Sequence, residues 1–338
     1  MALLLPALAI VLFAIQAVLD THSSEALASS SLSELRIGYQ KGGPLLILKT
    51  GGQLERRLSP MGIRVRWAEF PSGPPLLEAL NSGAIDLGVA GNAATAYALA
   101  APDSELVYLA VEVPSPRGEA LLVPAHSQLR SLADLKGKTV AFTRGSNAEY
   151  FLMQALAKAH LSLGDIRQAY LSPTDARAAF ESGSIDAWVI WDPFYAEAEL
   201  NAGARELTDG TGLVDDMVFY LSTRPTAEQH ALVLKIVVEE IEKTDEWMRN
   251  HSHEAAQRLA DATGLPSNIC QTAILRHNYG VRVVDQSVVN SQQRIADSFY
   301  AAGILPFKED AARAMLCNSS STGDIQVLCR RDIEDPLH

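Results

Sequence analysis

An eight-residue segment of this chain recurs in similar form one hundred positions later, and this repeat constrains the fold more than any other feature. Residues 82–89 read SGAIDLGV and residues 182–189 read SGSIDAWV. Each copy follows an amphipathic stretch with helical spacing, carries a glycine suited to a helix C-terminus, and continues into an apolar run typical of a strand. A further helix start follows at Asn92 and at Asp192. Two such units predict two similar α/β lobes, whereas one copy alone would be an ordinary helix-to-strand turn.

Strand-like and helix-like patterns alternate along most of the chain, which indicates mostly parallel sheets flanked by helices. The predicted strands are residues 35–40, 63–67, 85–90, 106–113, 120–123, 138–142, 166–171, 185–190 and 218–222. The predicted helices are residues 45–58, 74–81, 92–101, 147–160, 227–250, 254–262, 267–276 and 287–302.

Two proline-containing interruptions predict where the chain crosses between the lobes. The first is residues 114–118, in which two prolines fix an extended path, and the second is residues 222–225. We therefore predict a first lobe from residues 34–114 and 224–305, and a second lobe from residues 115–223. The polar segment at residues 306–338 predicts a C-terminal tail that is either peripheral or disordered.

The beginning of the chain has the composition of a secretion signal. Residues 2–19 are almost entirely apolar, and Ala26-Leu27-Ala28 fits the small-residue pattern of a signal-peptidase site. The segment is atypical because no lysine or arginine precedes Arg36. We predict a cleaved signal peptide at residues 1–28, with a retained membrane anchor as the alternative.

Cysteine usage leaves the redox state of the tail open. Cys317 and Cys329 bracket a polar segment and could close a small loop in an oxidising compartment, or remain as separate thiols. Cys270 lies in an apolar helical pattern and is expected to be a buried small hydrophobe.

Charge and motifs exclude several classes of function. The net charge is −12, which disfavours binding to nucleic acid and means that an anionic ligand would need local donors. Lys136-Gly137-Lys138-Thr139 resembles the end of a phosphate loop, but Leu132 stands at the first-glycine position and a strand follows. His251 and His253 lack the spacing of a zinc pair. We therefore predict no catalytic residue, no metal and no cofactor.

The candidate binding residues follow predicted strands, at the edge where α/β sheets bind ligands. Helix starts leave backbone N–H groups unpaired and carry partial positive charge, so two facing starts would clamp a small anion. Ordinary helix capping is the alternative for Asn92, Ser146, Asn147 and Asp192, and core packing is the alternative for Trp191. The candidates by position are Gln40, Gly91, Asn92, Ala93, Gly145, Ser146, Asn147, Trp191 and Asp192.

Beyond these positions, the chain resembles the alkanesulfonate-binding proteins of ABC importers, within the group that binds sulfonates, taurine and nitrate. The resemblance covers roughly residues 35–303. The stretches that carry it are residues 36–41 (RIGYQK), 69–74 (EFPSGP), 77–80 (LEAL), 85–88 (IDLG), 134–138 (DLKGK), 173–180 (PTDARAAF), 185–188 (IDAW) and 190–193 (IWDP).

This resemblance implies a two-lobed, type II periplasmic binding protein fold, each lobe a mostly parallel sheet flanked by helices and joined by two hinge crossings. It implies a monomer in the periplasm that captures an aliphatic sulfonate between the lobes and delivers it to a membrane permease. Family members often have Asp-x-Pro where this chain has Asn92-Ala93-Ala94, and this replacement alters the part of the pocket wall that selects among sulfonates. The residues implied to contact the sulfonate are Gln40, Gly91, Asn92, Ala93, Arg117, Gly145, Ser146, Asn147, Ala148, Trp191 and Asp192.

Two other functions remain open at this level. A nitrate- or taurine-binding protein of the same group would have the same fold, and taurine would need a carboxylate for its ammonium, for which Asp192 and Glu119 are candidates. An enzyme related to thiamine-pyrimidine-precursor synthases is a weaker alternative, because the cleft stretches lack a cysteine or histidine cluster.

Overall fold

The computed structural model of the protein describes residues 32–316 and Leu328. The signal peptide predicted at residues 1–28, and the pairing of Cys317 with Cys329, lie outside the described residues. Among the helices described, none has the length and apolar character needed to cross a membrane.

The strands form two separate mixed sheets. The first has the order β11-β4-β10-β3-β1-β2 and the second the order β7-β6-β8-β5-β9. Parallel pairs lie at one side of each sheet, and β10 and β5 run antiparallel to both of their neighbours. The bounds are β1 Glu34–Gln40, β2 Arg64–Phe70, β3 Leu87–Gly91, β4 Leu106–Glu112, β5 Glu119–Val123, β6 Thr139–Phe142, β7 Arg167–Tyr170, β8 Ala187–Trp191, β9 Arg205–Asp209, β10 Val218–Thr223 and β11 Val281–Arg282.

Helices cover both faces of each sheet, so each lobe has a hydrophobic cluster on either side of its strands. The helices of the first lobe are α1 Gly43–Gly51, α2 Gln53–Leu58, α3 Gly73–Asn81, α4 Asn92–Leu99, α8 Arg224–Gln229, α9 Ala231–Asn250, α10 Ser252–Thr263, α11 Ser267–Arg276 and α12 Gln286–Ala301. Those of the second lobe are α5 Asn147–Lys158, α6 Pro173–Glu181 and α7 Phe194–Ala202. This arrangement confirms the predicted fold class of two α/β lobes.

The two copies of the repeated segment have the same local structure. Gly83 and Gly183 take left-handed φ angles of 71° and 72° just after α3 and α6. The N–H of Ala84 donates to the carbonyl of Ala79, and Ser184 donates to Ala179 in the same way, each at 2.9 Å. Both helices therefore end in the same glycine-dependent motif, which turns the chain back into a buried strand.

The aspartate of each copy anchors the start of a neighbouring strand. Asp86 accepts the backbone N–H of Arg36 at 2.7 Å, and Asp186 accepts that of Thr139 at 2.7 Å. In return, the N–H of each aspartate donates to the carbonyl of the same partner residue. The repeat thus fixes the strand order in both lobes from the end opposite to the candidate binding residues.

The chain returns to the first lobe earlier than the sequence analysis predicts. The sequence analysis predicts that residues 218–222 belong to the second lobe. In the structure these residues form most of β10, which pairs with β3 and β4 of the first sheet. The chain therefore returns between β9 and β10, and Pro225 lies in the first turn of α8, where proline is well tolerated. The first crossing, at residues 113–118 between β4 and β5, agrees with the prediction.

Three further boundaries differ from the sequence-based expectations. The helix expected at residues 45–58 is interrupted at Gly52, whose φ is 64°, and the one expected from residue 227 begins at Ala231 after the short α8. The tail is not peripheral in its described part: Ala311, Ala314 and Leu316 are buried against the first lobe.

Candidate functional site

A cavity of about 180 Å³ lies between the two lobes. Its wall comes from the carboxyl ends of β1, β3, β4 and β8 and from the start of α5. Helices α9, α10 and α11 close it from the first lobe. We call this space the interlobe cavity; it occupies the edge at which α/β sheets ordinarily bind ligands.

The cavity brings together six of the eleven residues proposed from the sequence: Gln40, Gly91, Ser146, Asn147, Trp191 and Asp192. The other five are not on its wall. Ala93, Gly145 and Ala148 are buried beside it, and Asn92 is only 2% exposed. Arg117 is exposed in the turn between the lobes and does not line the cavity.

The start of α5 offers backbone donors to the cavity. Ser146 precedes the helix without capping it, because its hydroxyl donates to the carbonyl of Thr143 at 2.6 Å. Glu149 accepts the N–H of Gly145 at 2.6 Å. These contacts do not use the N–H groups of Asn147 and Ala148, which lie in the first turn, where no intrahelical acceptor exists. An anion at this helix start would receive these donors and the favourable helix dipole.

The start of α4 faces α5, as the sequence suggested, but its first two donors, the N–H groups of Asn92 and Ala93, are engaged. The N–H of Ala93 donates to Oδ1 of Asn147 at 3.0 Å and to Oδ1 of Asn92 at 2.9 Å. The N–H of Asn92 donates to the carbonyl of Met217 at 2.8 Å. The Asn147 amide thus bridges the lobes and takes up the N–H of Ala93.

Two features make the bridge by Asn147 specific. Its Nδ2 donates to Oδ1 of Asp216 at 2.6 Å, which fixes the orientation of the amide. A Cβ at position 91 would overlap the same amide, so Gly91 is the residue that lets the side chain approach β3. Gly91 has a φ of −66°, so the requirement is one of space rather than of backbone conformation.

An apolar surface and an amide complete the first-lobe side of the cavity. Leu45, Val89, Met248 and Ile274 all contribute to the lining. Gln40 donates from Nε2 to the carbonyl of Val89 at 3.0 Å, which leaves its second amide hydrogen for a ligand. The cavity can therefore hold a small molecule with an anionic head and a short apolar part.

Asp192 combines a capping role with a position on the cavity wall. Its Oδ1 accepts the N–H of Ala196 at 2.9 Å and lies 3.5 Å from Nη1 of Arg276. Its Oδ2 is buried without a hydrogen-bond partner among the described residues. Burial raises the pKa of Asp192 to about 6, although Arg276 opposes that shift.

A second group of acidic side chains lies where the lobes join. Glu112 accepts from the Tyr220 hydroxyl and lies 2.7 Å from Nε2 of His277. Burial raises the pKa of Asp216 to about 6, and it raises that of Glu119, beside Asp216, well above its ordinary value. Burial alone would lower the pKa of His277, but Glu112 and the neighbouring carboxylates raise it overall.

The lobes meet on both flanks of the cavity. On one flank, Tyr150 of α5 makes an edge-to-face contact with Phe299 of α12, with ring centroids 5.9 Å apart. On the other, the Arg276 guanidinium of α11 lies 3.7 Å from the ring centroid of Tyr195 in α7 and pairs with Glu199. These contacts join the lobes on both sides of the cavity.

The sequence did not indicate four charged groups that shape this site. Glu112 ends a strand, Arg276 ends helix α11, and Asp216 and His277 lie in connections, with no motif around any of the four. Only the tertiary fold brings them together. The position of Glu112 at the carboxyl end of β4 is the one available signal, since the sequence analysis selects four other strand ends on that ground. No group of three or more potential metal ligands occurs within the described part of the chain.

Comparison with known proteins places these features in a family context. Residues 51–243 match the family described as ABC transporter, phosphonate, periplasmic substrate-binding protein. An aliphatic sulfonates-binding protein of Escherichia coli (strain K12) is 40% identical over 302 residues, which is 89% of this chain and 94% of that protein. A relative from Bacillus subtilis (strain 168), also described as an aliphatic sulfonates-binding protein, is 31% identical over 79% of this chain and 80% of its own length.

Solved structures confirm the fold. The alkanesulfonate-binding protein SsuA from Xanthomonas axonopodis pv. citri, bound to MOPS, superposes with a TM-score of 0.79 at 40% identity. The match covers 84% of this chain and 98% of that one. The desulfurization enzyme DSZB superposes with a TM-score of 0.62 at 13% identity, covering 88% of this chain and 99% of that one. This last likeness shows a shared fold alone.

Proposed function

The chain belongs to the aliphatic sulfonate-binding proteins, the periplasmic substrate-binding components of ABC transporters, and from this premise we propose that its interlobe cavity captures an aliphatic sulfonate. The sulfonate group lies at the start of α5 and receives the N–H group of Asn147. The alkyl part lies against the apolar lining from the first lobe. The observation that carries the proposal is that this helix start opens on a cavity enclosed by both lobes.

Sulfonate chemistry matches the donors that the site supplies. A sulfonate is anionic at physiological pH and has three acceptor oxygens and no donor. Backbone N–H groups at a helix start and the second amide hydrogen of Gln40 therefore suit it. Because the protein carries a net charge of −12, attraction must come from these short-range donors.

The transport role is part of the same proposal. We propose that residues 1–28 direct export, that the protein acts as a monomer in the periplasm, and that the closed form delivers the sulfonate to a membrane permease. The relatives are described as binding proteins, and we propose that this chain binds its sulfonate without turning it over.

A matched pair of variants at one position tests the role of α5. Asn147 is the first residue of the helix and Ser146 before it is extended, so proline fits at 147 and removes the N–H. Asn147→Ala removes the same side chain but keeps the N–H. A hydrogen bond to a charged group is worth about 1.5–3 kcal/mol, so Asn147→Pro should bind propane-1-sulfonate roughly 10–150-fold more weakly than Asn147→Ala.

Isothermal titration calorimetry on protein lacking residues 1–28 gives the readout, with propane-1-sulfonate, MOPS, nitrate and sulfate as titrants. We expect binding of the sulfonates by the unmodified protein. Absence of binding by either sulfonate would contradict the proposed function. Equal affinities of the two Asn147 variants would show that the α5 backbone does not hold the anion.

A further inference from the structure

Two acidic residues lie at the two points where the chain crosses between the lobes. Glu119 is the first residue of β5, directly after the first crossing, and Asp216 lies in the second crossing, between β9 and β10. The crossings are hydrogen-bonded to each other. The N–H of Ser115 donates to the carbonyl of Asp216 at 3.2 Å, and the N–H of Gly210 donates to that of Pro116 at 3.0 Å. The two acids therefore meet at the hinge.

The surroundings of this pair favour a proton on Glu119. Glu119 is 1% exposed, and its Oε2 is buried with no hydrogen-bond partner among the described residues. Two adjacent carboxylates in such a place cannot both ionise cheaply, because burial and like charge each disfavour the anionic form. Burial and the charge of Asp216 raise the pKa of Glu119 well above its ordinary value. Burial raises the pKa of Asp216 to about 6, against the hydrogen bond from Asn147 and the charge of His277.

The cations nearby are engaged with other carboxylates. The charged groups on the neighbouring strands and helices, and in the connection after α11, are Glu112, Asp192, Asp209, Asp245, Arg276 and His277. His277 pairs with Glu112 at 2.7 Å. Arg276 pairs with Glu199 and lies 3.5 Å from Oδ1 of Asp192. On the crossings themselves, Arg117 is exposed to solvent. A proton is therefore the available means of neutralising Glu119.

Asp216 connects this pair to the proposed anion position. It accepts from Nδ2 of Asn147 at 2.6 Å, and Oδ1 of the same amide accepts the N–H of Ala93 from the opposite lobe. Asp216 has a left-handed φ of 45°, which is uncommon for a residue other than glycine and persists where surrounding contacts hold it. The charge state of Glu119 therefore acts on the start of α5 through Asp216 and Asn147.

We propose that Glu119 is a positioning residue that couples sulfonate capture to uptake of one proton, being neutral when the lobes enclose the anion and ionised when the cleft is open to water. This inference rests on the proposed function and adds a regulation of the same site. Asp216 keeps its charge and orients Asn147. The proton comes from solvent when the lobes close and returns to solvent on release.

The direction of the pH dependence follows from this coupling. In an open, hydrated cleft, Glu119 has the ordinary glutamate pKa of about 4.3. Since closure raises that pKa, the ligand-bound form holds a proton that the open form has lost, and the affinity falls as the pH rises. Uptake of one full proton corresponds to a loss of about tenfold in affinity per pH unit. Propane-1-sulfonate has no group that titrates above pH 5, so this dependence belongs to the protein.

Calorimetric titration with propane-1-sulfonate measures the proton directly. The protein lacking residues 1–28 is titrated at pH 5.5, 7 and 8.5, at each pH in two buffers of different ionisation enthalpy. We expect uptake of at least about half a proton at pH 7 and an affinity at least about tenfold weaker at pH 8.5 than at pH 5.5. Binding without proton uptake would overturn the inference and leave the proposed function intact, whereas absence of binding at every pH would contradict the proposed function itself.

A neutral variant assigns the proton to Glu119. Glu119→Gln has the size of the protonated side chain and cannot ionise, so it should take up at least about half a proton less at pH 7 and bind propane-1-sulfonate at least about threefold more tightly than the unmodified protein at pH 8.5. A purely structural role would instead weaken binding at every pH. In Asp192→Asn the uptake assigned to Glu119 should persist, which separates it from titration of the cavity wall.

Asp261→Asn, on the exposed face of α10, is the matched control and should keep the pH profile of the unmodified protein. An unchanged proton uptake in Glu119→Gln would overturn the inference, and so would weaker binding by this variant at all three pH values.

Discussion

At the scale of single residues, Asn147 and Gly91 determine how closely the lobes approach. The Asn147 amide accepts from Ala93 of the opposite lobe and donates to Asp216. Gly91 leaves the space that this amide occupies. The contact needs the amide of Asn147 and the lack of a side chain at Gly91. A double-mutant cycle at these two positions can therefore measure how strongly they are coupled.

We expect Gly91→Ala to weaken sulfonate binding, because the added Cβ overlaps the Asn147 amide and separates the lobes. The same substitution in an Asn147→Ala background should cost much less, because the overlapping group is gone. Calorimetric titration of the four proteins with propane-1-sulfonate measures the coupling. Additive losses would show that the two residues do not meet in the ligand-bound form.

Asp192 should make the stability of the ligand-free protein depend on pH. Its folded-state pKa of about 6 lies above the unfolded value, so the folded state binds more protons between about pH 4 and 6 and loses stability as the pH rises through that window. Asp192→Asn mimics the protonated form and should raise the free energy of unfolding at pH 7 by about 1–3 kcal/mol.

Urea unfolding of the Asp192→Asn and unmodified proteins at pH 4 and pH 7 checks this sign. The gain should be present at pH 7 and nearly absent at pH 4, where both side chains are neutral. Asp261→Asn should show no such difference. A loss of stability at pH 7 would mean that the ion pair with Arg276 outweighs the cost of burial.

The site residues that could be predicted from the sequence lie at the ends of regular strands, whereas those that could not lie mostly in connections. Gln40, Gly91, Trp191 and Asp192 follow predicted strands, so the alternation of elements was enough to place them. Asp216 and His277 belong to connections whose course depends on the tertiary fold. The hydrogen bond from the N–H of Ala93 in α4 to the Asn147 side chain also could not be predicted from the sequence, because it depends on the distance between the two lobes.

At the scale of elements, the repeated segment fixes how helices and strands connect in the two sheets, and it contributes little to the binding site directly. Gly83 and Gly183 end a helix in the same way, and Asp86 and Asp186 hold a residue near the start of a neighbouring strand. Regular elements were predictable where the hydrophobic period was clear. The short strands β9 and β11 were missed because β9 is mostly polar and β11 has only two residues.

The two anchoring aspartates should differ in their contribution to stability. Asp86 is 9% exposed and also pairs with the Arg36 guanidinium at 2.5 Å, whereas Asp186 is 39% exposed and lies 3.8 Å from Arg167. We expect Asp86→Ala to lower the free energy of unfolding by about 2–4 kcal/mol and Asp186→Ala by about 1 kcal/mol. Chemical denaturation measures both, and a larger loss for Asp186→Ala would contradict this ranking.

At the scale of the whole molecule, the chain forms two lobes that close on a cavity. The repeat and the first proline interruption predicted this plan. The second crossing was misplaced because Thr223-Arg224-Pro225 starts a helix instead of a hinge. Contacts on both flanks hold the lobes together, and Arg276 contributes a stacking contact and ion pairs to one of them.

Arg276→Ala should therefore loosen closure without unfolding either lobe. We expect a larger radius of gyration in small-angle X-ray scattering of the ligand-free protein and at least fivefold weaker binding of propane-1-sulfonate. The loss should appear mainly as faster dissociation. An unchanged radius and an unchanged dissociation rate would show that Arg276 plays no part in closure.

The most direct test of the account is a crystal structure of the protein with propane-1-sulfonate. The account predicts the sulfonate between the lobes, with an oxygen within about 3.2 Å of the backbone nitrogen of Asn147. It also predicts that Asn147 Oδ1 still accepts the N–H of Ala93. A sulfonate held by the start of α4, or bound outside the interlobe cavity, would contradict the account.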